Sequence, residues 1–213
     1  MRVLASALLI GAFLATQAHA TSVTDPSGDF IPSYTGPKGA DLDVVETEAQ
    51  LTGTNLILQA TMAGPIGTTA GGLYVWGVDR GAGATTANFG AINLPNIIFD
   101  SVVIIMPDGT GQVVLLNSAT PQATPLAPGS ITISGNTFQA VVPISMLPSA
   151  GFQPLSYTQN LWPRQGGVTS NDQIADFAPD STMSPISAPE PASLGLLGLS
   201  GLWLLGRARS KHE

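Results

Sequence analysis

Cysteine is absent from the 213 residues, histidine occurs twice, and Lys and Arg together number seven. Each shortage closes off a class of chemistry. Without cysteine there is no disulfide framework, no thiolate nucleophile, and no Cys-ligated zinc or iron–sulfur site. The two histidines, His19 and His212, lie near the ends, so residues 21–188 hold no imidazole. Ser-His-Asp and Cys-His mechanisms need an imidazole to take the nucleophile's proton near neutral pH, and catalytic zinc sites nearly always include one. Positive charge is as scarce: residues 21–188 carry Lys38, Arg80 and Arg164 against twelve Asp and Glu, a balance of −9. Binding to nucleic acid displaces counterions with clustered cations, so nucleic acid is excluded as a partner. No Gly-x-x-x-x-Gly-Lys phosphate loop and no Gly-x-Gly-x-x-Gly fingerprint stands between a strand and a helix. Carboxylates, hydroxyls and three basic residues are left.

What is present is concentrated first at the two ends. Met1 and Arg2 lead into an apolar block over residues 3–15, closed by Ala18-His19-Ala20. A positive start, a short hydrophobic region and an Ala-x-Ala site mark a secretory signal peptide over residues 1–20, with signal peptidase expected to cut after Ala20. At the other end, Pro189-Glu190-Pro191 precedes fifteen uncharged residues, 192–206, and then Arg207, Arg209 and Lys211. A helix of that length spans about 22 Å, short of the ~30 Å hydrocarbon core, and would need local thinning or snorkelling ends. The basic end would hold the C-terminus on the cytoplasmic side of the inner membrane. This order of triplet, apolar run (191–206 as the membrane helix) and basic end (207–213) resembles the PEP-CTERM sorting signal of Gram-negative bacteria. The resemblance implies recognition and cleavage near Pro189-Glu190-Pro191 by an exosortase-like membrane protease. It also implies delivery of the mature form to the cell envelope or an extracellular polysaccharide matrix.

Between the ends lie roughly 165 residues, enough for one domain with a core. Gly and Pro are too frequent for long helices, and the apolar content is too high for disorder. Residues 41–50 read as a strand whose alternation slips beyond Val45, the mark of a bulge. Residues 51–55 turn it into a returning strand with Leu56, Leu58 and Ala60 facing inward. Residues 73–78 are apolar on both faces, as in a central strand, and residues 96–106 give the strongest strand signal of all. Residues 117–129 read as loop, residues 131–142 as a hairpin, and residues 155–162 as a last strand. Short strands separated by turns predict a mainly β fold, a single antiparallel β-sandwich of jelly-roll-like type over residues 21–178. Residues 179–188 read as a spacer and 189–213 as the sorting tail.

Three sets of residues are candidates for a site. Asp25, Asp29, Asp41 and Asp43 place two acids in a Gly-containing turn and two on one face of an extended strand, a donor set suited to calcium. The passage Asp-Pro-x-Gly-Asp, Asp-Leu-Asp-Val and hairpin is similar to the opening of secreted carbohydrate-binding-type sandwiches, some of which hold structural calcium there. The alternative is ordinary turn acids in water. A second acidic stretch, residues 171–180, either returns to the first site or forms the polar exit from the domain, with Phe177 tucked against it. The third set is aromatic: Tyr74 and Trp76 on one strand face, with Trp162, offer a glycan platform or, alternatively, core packing. Arg164, beside Trp162, is expected to form a local ion pair, with a ligand clamp as the alternative.

The sequence therefore predicts an exported, non-catalytic protein of the envelope or exopolysaccharide matrix. Two alternatives stand beside it. One is a glycan-binding module with structural calcium. The other is a carboxylate-based glycoside hydrolase drawing on acids such as Glu46, Glu48, Asp79 and Asp100, since glycosidases use two carboxylates about 5–9.5 Å apart.

Overall fold

A computed structural model describes residues 22–83, 86–118, 120–167 and 170–188. The signal-peptide residues Ala18 and Ala20, and the tail residues Pro189, Glu190, Pro191, Arg207 and Arg209, lie outside the described residues. No helix among the described residues is long and apolar enough to cross a membrane.

The fold is mainly β, with helical structure limited to short 3-10 turns among the described residues. In chain order the strands are β1 (Ser22–Thr24), β2 (Val44–Thr52), β3 (Asn55–Met62), β4 (Gly72–Asp79), β5 (Ala87–Phe89), β6 (Leu94–Phe99) and β7 (Ser101–Ile105). They continue with β8 (Gly111–Leu115), β9 (Gln122–Pro125), β10 (Ile131–Ser134), β11 (Thr137–Pro143), β12 (Thr158–Gln165) and β13 (Ser184–Pro185). A five-stranded antiparallel sheet runs β1-β2-β3-β11-β10, and a six-stranded one runs β13-β12-β4-β7-β8-β9. The pair β5-β6 forms a separate ribbon.

Sequence patterning explains the core. In β3 the buried positions alternate, with Leu56, Leu58, Ala60 and Met62 inward, because successive strand side chains point to opposite faces. Phe138, Ala140 and Val142 of the neighbouring β11 join them. From the six-stranded sheet come Tyr74, Trp76, Val78, Val103, Ile105, Val113 and Leu161, in the same cluster. Phe138 meets the rings of Tyr74 and Trp76 at centroid distances of 5.0 and 6.1 Å. The two sheets thus share one core.

β4 is buried at every position, since its other face is covered too. There Leu73, Val75, Val102 and Trp162 join Phe89 and Phe99 from the ribbon and Ile174 and Phe177 from the C-terminal segment. A Cβ at Gly77 would clash with the Trp162 ring, so only glycine lets that indole cross β4.

The β2–β3 pairing shifts register between Val44 and Glu46, where the alternation slips and a bulge is expected. Other local expectations change. Residues 96–106, expected as one strand, divide into β6 and β7, which belong to different sheets. Asp100 marks the break: its fully buried carboxylate accepts from the backbone N–H groups of Arg80 and Ala82 and from Arg80 Nε. Residues 40–42, expected to start β2, form a 3-10 turn instead. The loop expected over 117–129 contains the exposed strand β9. Finally, residues 179–188 are part of the folded domain rather than a spacer. β13 pairs with β12, Ile186 sits in the shared core, and Ser187 N donates to Ala49 O.

Candidate metal centre

β1 pairs with β2 through Val23 and Thr47, and Asp25 N donates to Val45 O at 3.0 Å. The chain then turns through Pro26-Ser27-Gly28, with Gly28 at φ 89°, a conformation glycine adopts without a Cβ clash. Asp43, just before β2, holds this turn. Its Oδ2 accepts from Ser27 Oγ at 3.0 Å and Gly28 N at 2.9 Å. Far along the chain, residues 174–178 run beside β12, joined by Ala175 N to Pro163 O and by the reciprocal pair of Ala178 and Leu161. That segment carries Asp176, whose Oδ2 accepts from Val44 N at 2.8 Å while its Oδ1 accepts from Phe177 N at 2.8 Å.

These two segments bring Asp25, Asp29, Asp176 and Asp180 together, with one carboxylate oxygen from each inside a mutual distance of 4.8 Å. Asp43 adjoins the group and repels Asp25, Asp29 and Asp176. Three buried oxygens here have no hydrogen-bond partner among the described residues: Asp25 Oδ2, Asp29 Oδ1 and Asp43 Oδ1. The last belongs to a side chain only 5% exposed. Buried carboxylate oxygens normally find a donor. No basic side chain forms an ion pair with any of the five among the described residues, where Arg80–Asp100 is the one such pair.

The electrostatic consequence is large. Burial, then the charges of Asp176, Asp180, Asp29 and Asp43, push Asp25 up to about 8. Asp176 rises to about 7, chiefly through burial, although its two backbone N–H bonds oppose the shift. Asp29 is raised as well, first by burial and then by Asp180 and Asp43. Such a group stays intact either by holding protons or by holding a cation.

The donor set fits a hard cation. Every donor is oxygen, from up to five carboxylates, and calcium takes six to eight oxygens, some from backbone carbonyls or water. The two oxygens of Asp176 that already accept N–H bonds each keep a second lone pair. With no His or Cys in residues 21–188, the softer transition-metal donor sets cannot be assembled.

Of the four acids put forward as one donor set, two join the cluster, and its other two members come from the stretch 171–180, for which a return to this site is one of two readings. Asp25 and Asp29 are in the cluster, and Asp43 borders it. Asp41 is elsewhere: its carboxylate accepts from Thr69 N at 2.8 Å and from Thr69 Oγ1. Because residues 40–42 turn rather than extend, Asp41 and Asp43 do not share a strand face. Asp176 and Asp180 come from the second acidic stretch, which returns to the first site instead of only leaving the domain.

The aromatic candidates are all interior. Tyr74 and Trp76 lie between the sheets, and Trp76 Nε1 donates to Gln159 Oε1. Trp162 is buried on the opposite face against Phe89 and Phe99. All three are buried, which matches core packing, the alternative to the glycan platform. Their place in the strand pattern is also that of core residues, and the two roles share one signature. Arg164 makes no ion pair among the described residues, contrary to expectation. Its Nη2 donates to Ser170 O and Gln173 Oε1.

No protein-family profile, curated protein or solved structure matches this chain.

Proposed function

We propose that this chain is an exported, non-catalytic protein of the cell envelope or extracellular matrix, whose sandwich-like domain carries a structural calcium ion. The convergence of Asp25, Asp29, Asp176 and Asp180 beside Asp43, with buried oxygens lacking donors, carries the calcium part of this reading. One core shared by two antiparallel sheets supports the sandwich, and the chain passes from one sheet to the other after β3, β9 and β11. The Ala18-His19-Ala20 site and the Pro189-Glu190-Pro191 tail support export, transient retention at the inner membrane, and processing by signal peptidase and an exosortase-like protease.

The parts fit one another. Calcium is plentiful outside the cytoplasm, where modules bind it with dissociation constants of about 10⁻⁴–10⁻³ M. Asp25 and Asp29 would hold the ion from the N-terminal segment, and Asp176 and Asp180 from the C-terminal one. The ion would neutralise the cluster and tie both ends of the domain together. A non-catalytic role fits the buried acids: Asp100 is engaged by Arg80, and Asp79 accepts from Gly81 N.

Two measurements test the reading separately. The intact mass of the protein recovered from cells reports both cleavages, and full-length mass in the extracellular fraction would remove the sorting half. Calorimetric titration of calcium into the full chain tests the site. Saturable binding with one ion per chain is expected, and no heat beyond dilution would remove the calcium half.

A further inference from the structure

The outer face of the six-stranded sheet holds a second feature unrelated to the acids. A cavity of about 520 Å³ opens there, a volume within the range of small-molecule sites. Its floor is a row of cross-strand neighbours, Trp162, Val75, Ile104 and Gln112, placed side by side by the registers of β12, β4, β7 and β8. Val102 and Val114 form the next row. Phe89 and Phe99 of the ribbon wall one side. The lining is apolar except for Gln112, Arg164 and Asn171.

Arg164 is unusual in this setting. It is 4% exposed, and its Nε has no hydrogen-bond partner among the described residues. Asp172 is near enough to favour its charge, but no carboxylate among the described residues pairs with it. A buried guanidinium without an anion is costly. Arg80, on the far side of β4's end, shows the complete version, with Asp100 Oδ1 2.6 Å from Nε. At Arg164 no carboxylate among the described residues takes that place, and an apolar cavity lies beside it.

We propose that this cavity binds an amphiphilic monocarboxylate of the fatty-acid class, its apolar body on Val75, Val102, Ile104 and Val114 and its head group on Arg164. A planar, singly charged head matches one guanidinium, which donates well to carboxylates. A phosphate monoester would bring close to two charges and leave one of them uncompensated against apolar walls.

The test uses the full chain in an amphipathic polymer without detergent, in calcium-free buffer, with folding checked by near-ultraviolet circular dichroism. Dodecanoate and dodecanol are titrated while binding is followed by calorimetry. Wild type should bind dodecanoate about tenfold or more tighter than dodecanol, the scale of one charge-assisted contact. Arg164→Gln should remove that preference while dodecanol binding persists. Val114→Trp, which fills the cavity without touching the guanidinium, should weaken both ligands, and it carries the test alone if Arg164→Gln does not fold. Equal binding of dodecanoate by wild type and Val114→Trp, equal affinity of wild type for the two ligands, or no binding of either would overturn the proposal.

Discussion

Asp100 and Asp176 are both buried carboxylates, and each accepts two backbone N–H groups. Their surroundings differ in one respect. Asp100 faces Arg80, whose guanidinium also reaches Ser101, Asn117 and Pro148. Asp176 faces Asp25, Asp29, Asp43 and Asp180. The first site is electrically complete within the chain. The second has the same backbone support and acidic neighbours, and burial first, then those charges, raise its pKa values. Burial alone does not separate a structural acid from a ligand-holding one; the sign of the neighbours does.

The largest effect should come from damaging the complete site. Asp100→Ala leaves the Arg80 guanidinium buried without its anion, which should cost about 3–5 kcal/mol. Urea unfolding should show this loss equally with calcium and with chelator. A loss that calcium restores would mean the two sites are not independent.

Next in size is calcium itself. An ion that binds only the folded state, at a hundred times its dissociation constant, adds about 2.7 kcal/mol. For a domain of this size that raises the midpoint of thermal unfolding by roughly 5–10 °C. Asp25→Asn should abolish most of the calcium shift while raising the stability of the metal-free protein at pH 8, because one repelling charge has gone. If instead the metal-free variant is weaker than wild type, the repulsion assigned to the cluster is wrong.

A smaller, graded effect is expected from pH. The folded protein holds protons on Asp25 and Asp176 that the unfolded chain releases near pH 4, since their folded values are about 8 and about 7. Between those limits the folded state binds more protons, so metal-free stability should fall as pH rises from about 4 to about 8. Calcium should cancel that slope and, near pH 7, release protons on binding. Titrations in two buffers of different ionisation enthalpy read the release directly. A rise in metal-free stability over the same window would contradict the raised values.

The smallest effect on the calcium response should come from Asp41→Asn. Asp41 is committed to Thr69, so the variant should lower overall stability by about 1–3 kcal/mol and leave the calcium shift unchanged. A lost shift would bring Asp41 back into the site.

Much of the β architecture was legible because period-2 patterning and turn residues agree over β2–β3, β4 and β10–β11. The bulge near Val45 was legible for the same reason. The break at Asp100 was not, since one acid in an apolar run resembles a mid-strand polar residue until its partner Arg80 is known. The site was half legible. Asp25 and Asp29 lie in a local turn that the sequence displays, whereas Asp176 arrives from 132 residues beyond Val44, a contact fixed by sheet order and not by any local signal. Asp41 was misplaced because a 3-10 turn removes the strand alternation that joined it to Asp43. Tyr74 and Trp76 could be assigned only to a strand; which face of that strand looks at another sheet is a tertiary fact. Residues 179–188 carry prolines and polar residues like a linker, and only the packing of Ile186 shows that they belong to the domain.

Thermal unfolding of the full chain, with calcium at about a hundred times its dissociation constant against chelator and with Asp176→Asn alongside, tests the central claim most directly. The wild-type midpoint should rise by several degrees with calcium and the Asp176→Asn midpoint should scarcely move. Identical wild-type midpoints in the two conditions would contradict the claim that this acidic junction is completed by a metal ion.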